Sequence, residues 1–190
     1  MIENEIIISK ITRPHPPRSY SRADLYRLLD ELLSKRLVVV SGPPATGKTN
    51  LVASYIESRK VLDIWCRVDK SDNDPATFFN YLTAALRDAT ADDSTAMPQL
   101  TRALLQNIAA FAKQYFREFY RHLEPPFMIV LDNYQNIEDD SSLHEAIRVG
   151  CDEMPRGGRI LIITTKECPH ALARLRAGNM LAIIEWDDLK

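Results

Sequence analysis

The chain has 190 residues, 45% of them hydrophobic and 26% charged, a length that suits one ordinary domain and is short for two. Its 24 basic and 26 acidic residues leave a net charge of −2, which excludes the broad basic field that holds nucleic acid, and no apolar run nears the roughly 20 residues of a membrane span. Glu3 and Glu5 stand where an export signal would be positive, and Cys66, Cys151 and Cys168 are scattered without metal-ligand spacing or an even count, which fits a reducing cytoplasm.

Residues 1–20 contain Pro14, Pro16 and Pro17, which force an extended path and predict an arm outside the core. Ser21 then caps a helix carrying Leu25, Leu28, Leu29, Leu32 and Leu33 on one face. The apolar run Leu37-Val38-Val39-Val40 reads as a buried strand, and it runs directly into Ser41-Gly42-Pro43-Pro44-Ala45-Thr46-Gly47-Lys48-Thr49. This is the spacing of a phosphate loop between a strand and a helix, the helix being signalled by Leu51-Val52-Ala53-Ser54-Tyr55-Ile56. The two glycines let the backbone curl so that its N–H groups point inward, and the helix start adds the positive end of its dipole. Gly42, Pro43, Ala45, Thr46, Gly47, Lys48, Thr49 and Asn50 are therefore the candidate nucleotide-binding residues. Lys48 would reach the β- and γ-phosphates, and the Thr49 hydroxyl would take one position on Mg²⁺.

Further strands are predicted at 61–68, 127–131, 159–164 and 181–185, and helices at 75–89, 99–123, 141–154 and 171–177. The stretch 90–98 is a polar, mobile connector. Strands alternating with helices predict an α/β fold: a mostly parallel sheet of five strands covered on both faces.

A phosphate loop needs a second oxygen donor for its cation, and Phe127-Met128-Ile129-Val130-Leu131-Asp132 is an apolar run ending in an acid, so Asp132 is the candidate metal ligand. Asp63 competes, but it lies inside its strand, with Ile64, Trp65 and Cys66 following. Asn133 stands where a water-polarising carboxylate would be useful; an amide orients a water but cannot accept its proton. Lys48, Asp132 and Asn133 are thus the candidate catalytic set, and the expectation is nucleotide binding with weak or absent hydrolysis. Thr164, Thr165 and Lys166 end the fourth strand at the same sheet edge, where Lys166 could sense the γ-phosphate.

Together these pieces resemble a family. The segment Ser9-Lys10-Ile11-Thr12-Arg13-Pro14, the helix start Ser21-Arg22-Ala23-Asp24-Leu25, the loop from Gly42 to Thr49, Ile64-Trp65 ahead of Asp69 and Asp72-Asn73, Phe78-Phe79-Asn80-Tyr81-Leu82, Leu131-Asp132-Asn133-Tyr134, and Thr164 to Pro169 with Leu172-Ala173-Arg174-Leu175-Arg176 are similar to the nucleotide-binding domain of MalT-like, LuxR-family transcriptional regulators, STAND-class P-loop NTPases. The resemblance implies a three-layer P-loop NTPase fold of AAA+/STAND-like order, with an extra strand between the phosphate-loop strand and the Asp132 strand. It also implies ATP or ADP as the nucleotide, Arg22 close to it, and use as a cytoplasmic switch that self-associates when ATP is bound. The family usually has Asp-Asp at 132–133 and Ser-Arg at 165–166, so Asn133 and Lys166 are departures. Residues 1–36 would be arm and helix and 37–190 the α/β core. The whole would be a fragment whose parent continues into winged-helix, sensor and DNA-binding domains, with no direct nucleic-acid or membrane contact of its own. The rival readings are a catalytically active P-loop ATPase or small-molecule kinase, the kinase with Arg174 to Arg176 as lid arginines, and an interaction module that keeps the loop as scaffold.

Overall fold

Among the described residues, five short runs rich in valine, isoleucine and leucine form the strands, β1 Leu37–Ser41, β2 Leu62–Arg67, β3 Phe127–Asp132, β4 Gly158–Thr164 and β5 Leu181–Ile184. The computed structural model describes residues 8–16, 23–185 and 187. All pairings are parallel, and the order across the sheet is β2-β3-β4-β1-β5, so β4 separates β1 from β3. Parallel neighbours require crossovers. These are supplied by α2 Lys48–Arg59, α3 Pro75–Thr90, α4 Arg102–Leu105, α5 Ile108–Arg121, α6 Leu143–Asp152 and α7 His170–Ala173, while α1 Ala23–Leu32 precedes β1.

The alternation of side chains along each strand divides the core in two. Leu37, Val39, Ile64, Cys66, Ile129, Leu131, Ile160 and Ile162 face a large cluster with Phe78, Phe79 and Leu82 of α3, Phe111, Tyr115, Phe116 and Phe119 of α5, and Ala146 and Ile147 of α6. Val38, Val40, Trp65, Met128, Val130, Leu161 and Ile163 face the second cluster, with Leu29 of α1 and Leu51, Val52 and Ile56 of α2. Each fully buried aliphatic or aromatic side chain contributes roughly 1.5–3 kcal/mol, so covering both faces is what fixes the layers.

Three expectations are corrected. The single helix over 99–123 is broken into α4 and α5, because the Asn107 side chain accepts the Ala110 N–H at 3.1 Å and starts a new helix instead of continuing the old one. The segment ahead of α1 is not a free arm over its described part. Residues 8–11 make a helical turn, Ile11 is buried, and the Lys10 ammonium lies 3.0 Å from Asp69 Oδ2, 2.8 Å from Asp72 Oδ2 and 3.9 Å above the Tyr81 ring. The connector after α3 is tied down, since Arg87 Nη2 donates to Thr95 O at 2.7 Å and Thr95 is buried. The helix cap expected at Ser21 lies outside the described residues.

Candidate functional site

The C-terminal ends of β1, β3 and β4 reach one edge of the sheet, where the chain leaves β1 for the far strand β2 and so opens a crevice at the switch in strand order. The register pairs Ser41 with Thr164 and Arg67 with Asp132, which brings the phosphate loop and the predicted acid to the same level. Between β1 and α2 the backbone turns through left-handed conformations at Ala45 (φ 60°) and Gly47 (φ 84°), and Gly47 caps α2 with no side-chain hydrogen bond. The first-turn N–H groups of α2 thus face the loop uncapped by a side chain, the arrangement that receives an anion.

Lys48 is buried within that curl, and its Nζ donates to Gly42 O at 2.8 Å, Pro43 O at 2.7 Å and Thr46 Oγ1 at 3.2 Å. Burial draws its pKa below the ordinary lysine value, opposed by the charge of Asp132. Thr49 Oγ1 donates to Asp132 Oδ1 at 3.0 Å across 83 residues of sequence. Asp132 is only 2% exposed. Burial pushes its pKa up, and the Thr49 hydrogen bond, the Arg67 charge, the Asn133 N–H at 3.0 Å and the Lys48 charge work the other way. The crevice in front of these groups has a volume of about 450 Å³ and is walled by Pro44 to Asn50 on one side and by Asn133, Gln135, Ile163, Thr164 and Thr165 on the other. A cavity of that size is open to a small-molecule ligand.

The structure brings Ala45, Thr46, Gly47, Lys48, Thr49, Asn50, Asp132 and Asn133 together around the crevice, with Gly42 and Pro43 contributing their carbonyls to Lys48. Asn133 follows β3 in a left-handed conformation, φ 63°, and opens a 3₁₀ turn over Tyr134–Asn136. Lys166 is placed differently. Its ammonium is exposed, stands 3.6 Å from Asp139 Oδ1, and lines a neighbouring cavity, while Thr164 and Thr165 occupy the phosphate side. Asp63 lies near the start of β2, paired with Arg13 at 2.7 Å and remote from the loop end of the sheet. Arg22 lies outside the described residues. Arg174 and Arg176 are exposed in a 3₁₀ turn and do not line the crevice.

Two contributors had no strong signal in the sequence. Gln135 lines the crevice from the 3₁₀ turn after Asn133, and a glutamine in a turn is too common to mark. Arg67 is set beside Asp132 only by strand register.

The Thr49 hydroxyl and the Asp132 carboxylate are hard oxygen donors already in contact, which suits a small divalent cation. Among the described residues no group of three or more His, Cys, Asp and Glu gathers, so such a cation would complete its shell with phosphate oxygens and water, the usual habit of Mg²⁺. Among the described residues no helix is long and apolar enough to cross a membrane.

Comparison with known proteins agrees with this geometry. The chain is 29% identical over 184 residues to the HTH-type transcriptional regulator MalT of Vibrio cholerae, covering 92% of this chain and 19% of the relative. It is 31% identical over 180 residues to MalT of Serratia proteamaculans, covering 93% and 19%. It thus spans about a fifth of the length of these curated relatives. A Walker-type ATPase of Pyrococcus abyssi, PABY2304, shares the fold, with a TM-score of 0.55 at 15% identity over 91% of this chain and 56% of that one. The AAA ATPase domain family matches residues 16–163, which contain the phosphate loop, Asp132, strands β1 to β3 and all of β4 but its last residue. A match over that much of the molecule, with loop and acid in contact at one sheet edge, makes this chain a member of the AAA ATPase domain family.

Proposed function

We propose that the chain is the nucleotide-operated switch of a transcriptional regulator of the MalT type, holding Mg-ATP or Mg-ADP with little intrinsic hydrolysis. The observation that carries this reading is the 3.0 Å contact between Thr49 Oγ1 and Asp132 Oδ1 beside the buried Lys48. Lys48 would leave the loop carbonyls for the β- and γ-phosphates, and the first-turn amides of α2 would take the remaining phosphate oxygens. Thr49 and Asp132 would hold Mg²⁺, which supplies charge neutralisation at the phosphates. Asn133 in the place of an acid supports slow turnover, because its amide cannot take a proton from water. Occupancy would then bias contacts with the regulator's other domains, including self-association.

Thermal shift tests the binding. A ligand at 100 times its Kd stabilises by about 2.7 kcal/mol, which raises the melting temperature by several degrees in a domain of this size. Mg-ATP should produce that rise, and Lys48→Ala should abolish it. Phosphate release faster than about 1 s⁻¹, the low end for ordinary phosphotransfer enzymes, would refute the slow-turnover part.

A further inference from the structure

The wall of the crevice opposite the phosphate loop is built from two linked amides. The Thr165 N–H donates to Gln135 Oε1 at 3.2 Å, and since a backbone N–H only donates, this fixes which end of the Gln135 amide is oxygen. Gln135 Nε2 is then turned toward Asn133 Oδ1 at 3.4 Å. Each side-chain carbonyl oxygen thus already accepts one donor from the protein, and the second Nε2 hydrogen of Gln135 and the amide hydrogens of Asn133 are left to meet a ligand. Such a wall has no base to offer an attacking water. It has donors to offer an oxyanion.

The turn that carries Gln135 is anchored on both sides. Tyr134 is buried and its hydroxyl meets His144 Nδ1 at 3.0 Å, while His144 Nε2 meets Glu138 O at 2.9 Å. Asn136 Nδ2 donates to Val68 O at 3.0 Å, tying the turn to the end of β2. On its far side Gln135 borders a second cavity, of about 230 Å³, shared with Lys166 and Cys168 from the segment after β4.

Resting on the reading given above, the geometry points to Gln135 as the residue that distinguishes a nucleoside triphosphate from a diphosphate: its Nε2 donates to the terminal phosphate, and its bond to Thr165 carries the occupancy of that position into the segment after β4. A diphosphate ends short of Gln135 and leaves the link unchanged. Lys166, with its ammonium directed at Asp139, is not needed for this discrimination.

The test compares Mg-ADP with a non-hydrolysable Mg-ATP analogue by equilibrium titration of the 190-residue chain. The wild type is expected to favour the triphosphate. Gln135→Ala should bring the two affinities together, losing roughly tenfold in the triphosphate-to-diphosphate ratio, the size of one hydrogen bond to a charged group. Gln135→Glu keeps the acceptor for Thr165 but sets a negative charge against the phosphate, so the ratio should fall further. In the wild type the Thr165 amide resonance should shift with the triphosphate and not with ADP. An unchanged ratio in both variants, or an equal loss for both nucleotides, overturns the assignment of Gln135 and leaves the nucleotide switch standing. Failure of the wild type to bind either nucleotide overturns the switch and this assignment with it.

Discussion

Asp132 serves two demands that pull apart. Its position next to Thr49 suits a cation, yet burial raises its pKa above the ordinary carboxylate value, so the ionised form costs folding free energy at neutral pH. An acid with a raised native pKa binds its proton more tightly when folded, so its cost is present above that pKa and is relieved as pH falls through it toward the unfolded value. Asp132→Asn keeps an oxygen for the Thr49 hydroxyl and removes the charge. It should raise the melting temperature of the nucleotide-free chain at pH 7 by a few degrees, narrow its advantage over the wild type as pH falls toward 4, and weaken the magnesium dependence of nucleotide binding, all readable by thermal shift. Lys10 is the opposite case. Burial pulls its pKa down, but the carboxylates of Asp72 and Asp69 more than offset this and hold the ammonium firmly charged. Lys10→Met strands the fully buried Asp72, and urea denaturation should show a loss of about 3–5 kcal/mol, partly recovered by adding Asp72→Asn. At this scale the loop residues and Asp132 were legible because a short motif and a strand end carry their chemistry. Gln135 and the Lys10 pairing were not, since each depends on partners 30 to 62 residues away that only the fold brings close.

Elements were legible where local chemistry agreed with tertiary packing. Helix α3 begins at Pro75 as its sequence predicts, with Asp74 Oδ2 accepting the Thr77 N–H at 3.0 Å and Pro75 in the first turn. The break at Asn107 was hidden because the apolar period continues across it, and only the cap reveals a second helix. Helices α5 and α6 then pack closely enough to leave no room at Gly150, where an added Cβ would stand 2.8 Å from Phe116 Cε2. Phe116 is itself fully buried among Phe79, Phe119 and Tyr120, so the ring has little freedom to retreat. Gly150→Ala should destabilise the chain by about 1–3 kcal/mol in urea denaturation while leaving the phosphate crevice intact, a separation that nucleotide titration of the folded fraction would display.

For the molecule as a whole, periodicity gave five strands and a parallel sheet, but strand order is a long-range property, and the place of β4 between β1 and β3 came from resemblance rather than from spacing. That order buries β1, β3 and β4 between neighbours and leaves β2 and β5 at the edges. Amide hydrogen exchange should therefore be slowest in the three inner strands and faster in β2 and β5. After β3 the backbone at Asn133 is left-handed, φ 63°. Aspartate tolerates this conformation about as well as asparagine does, so nothing in the chain path enforces an amide there. Under the proposed reading, the interval between loading and resetting of the switch is set by an NH₂ standing where an O⁻ would fit, and a single-base codon change could convert a slow timer into a fast one without disturbing the scaffold that carries it.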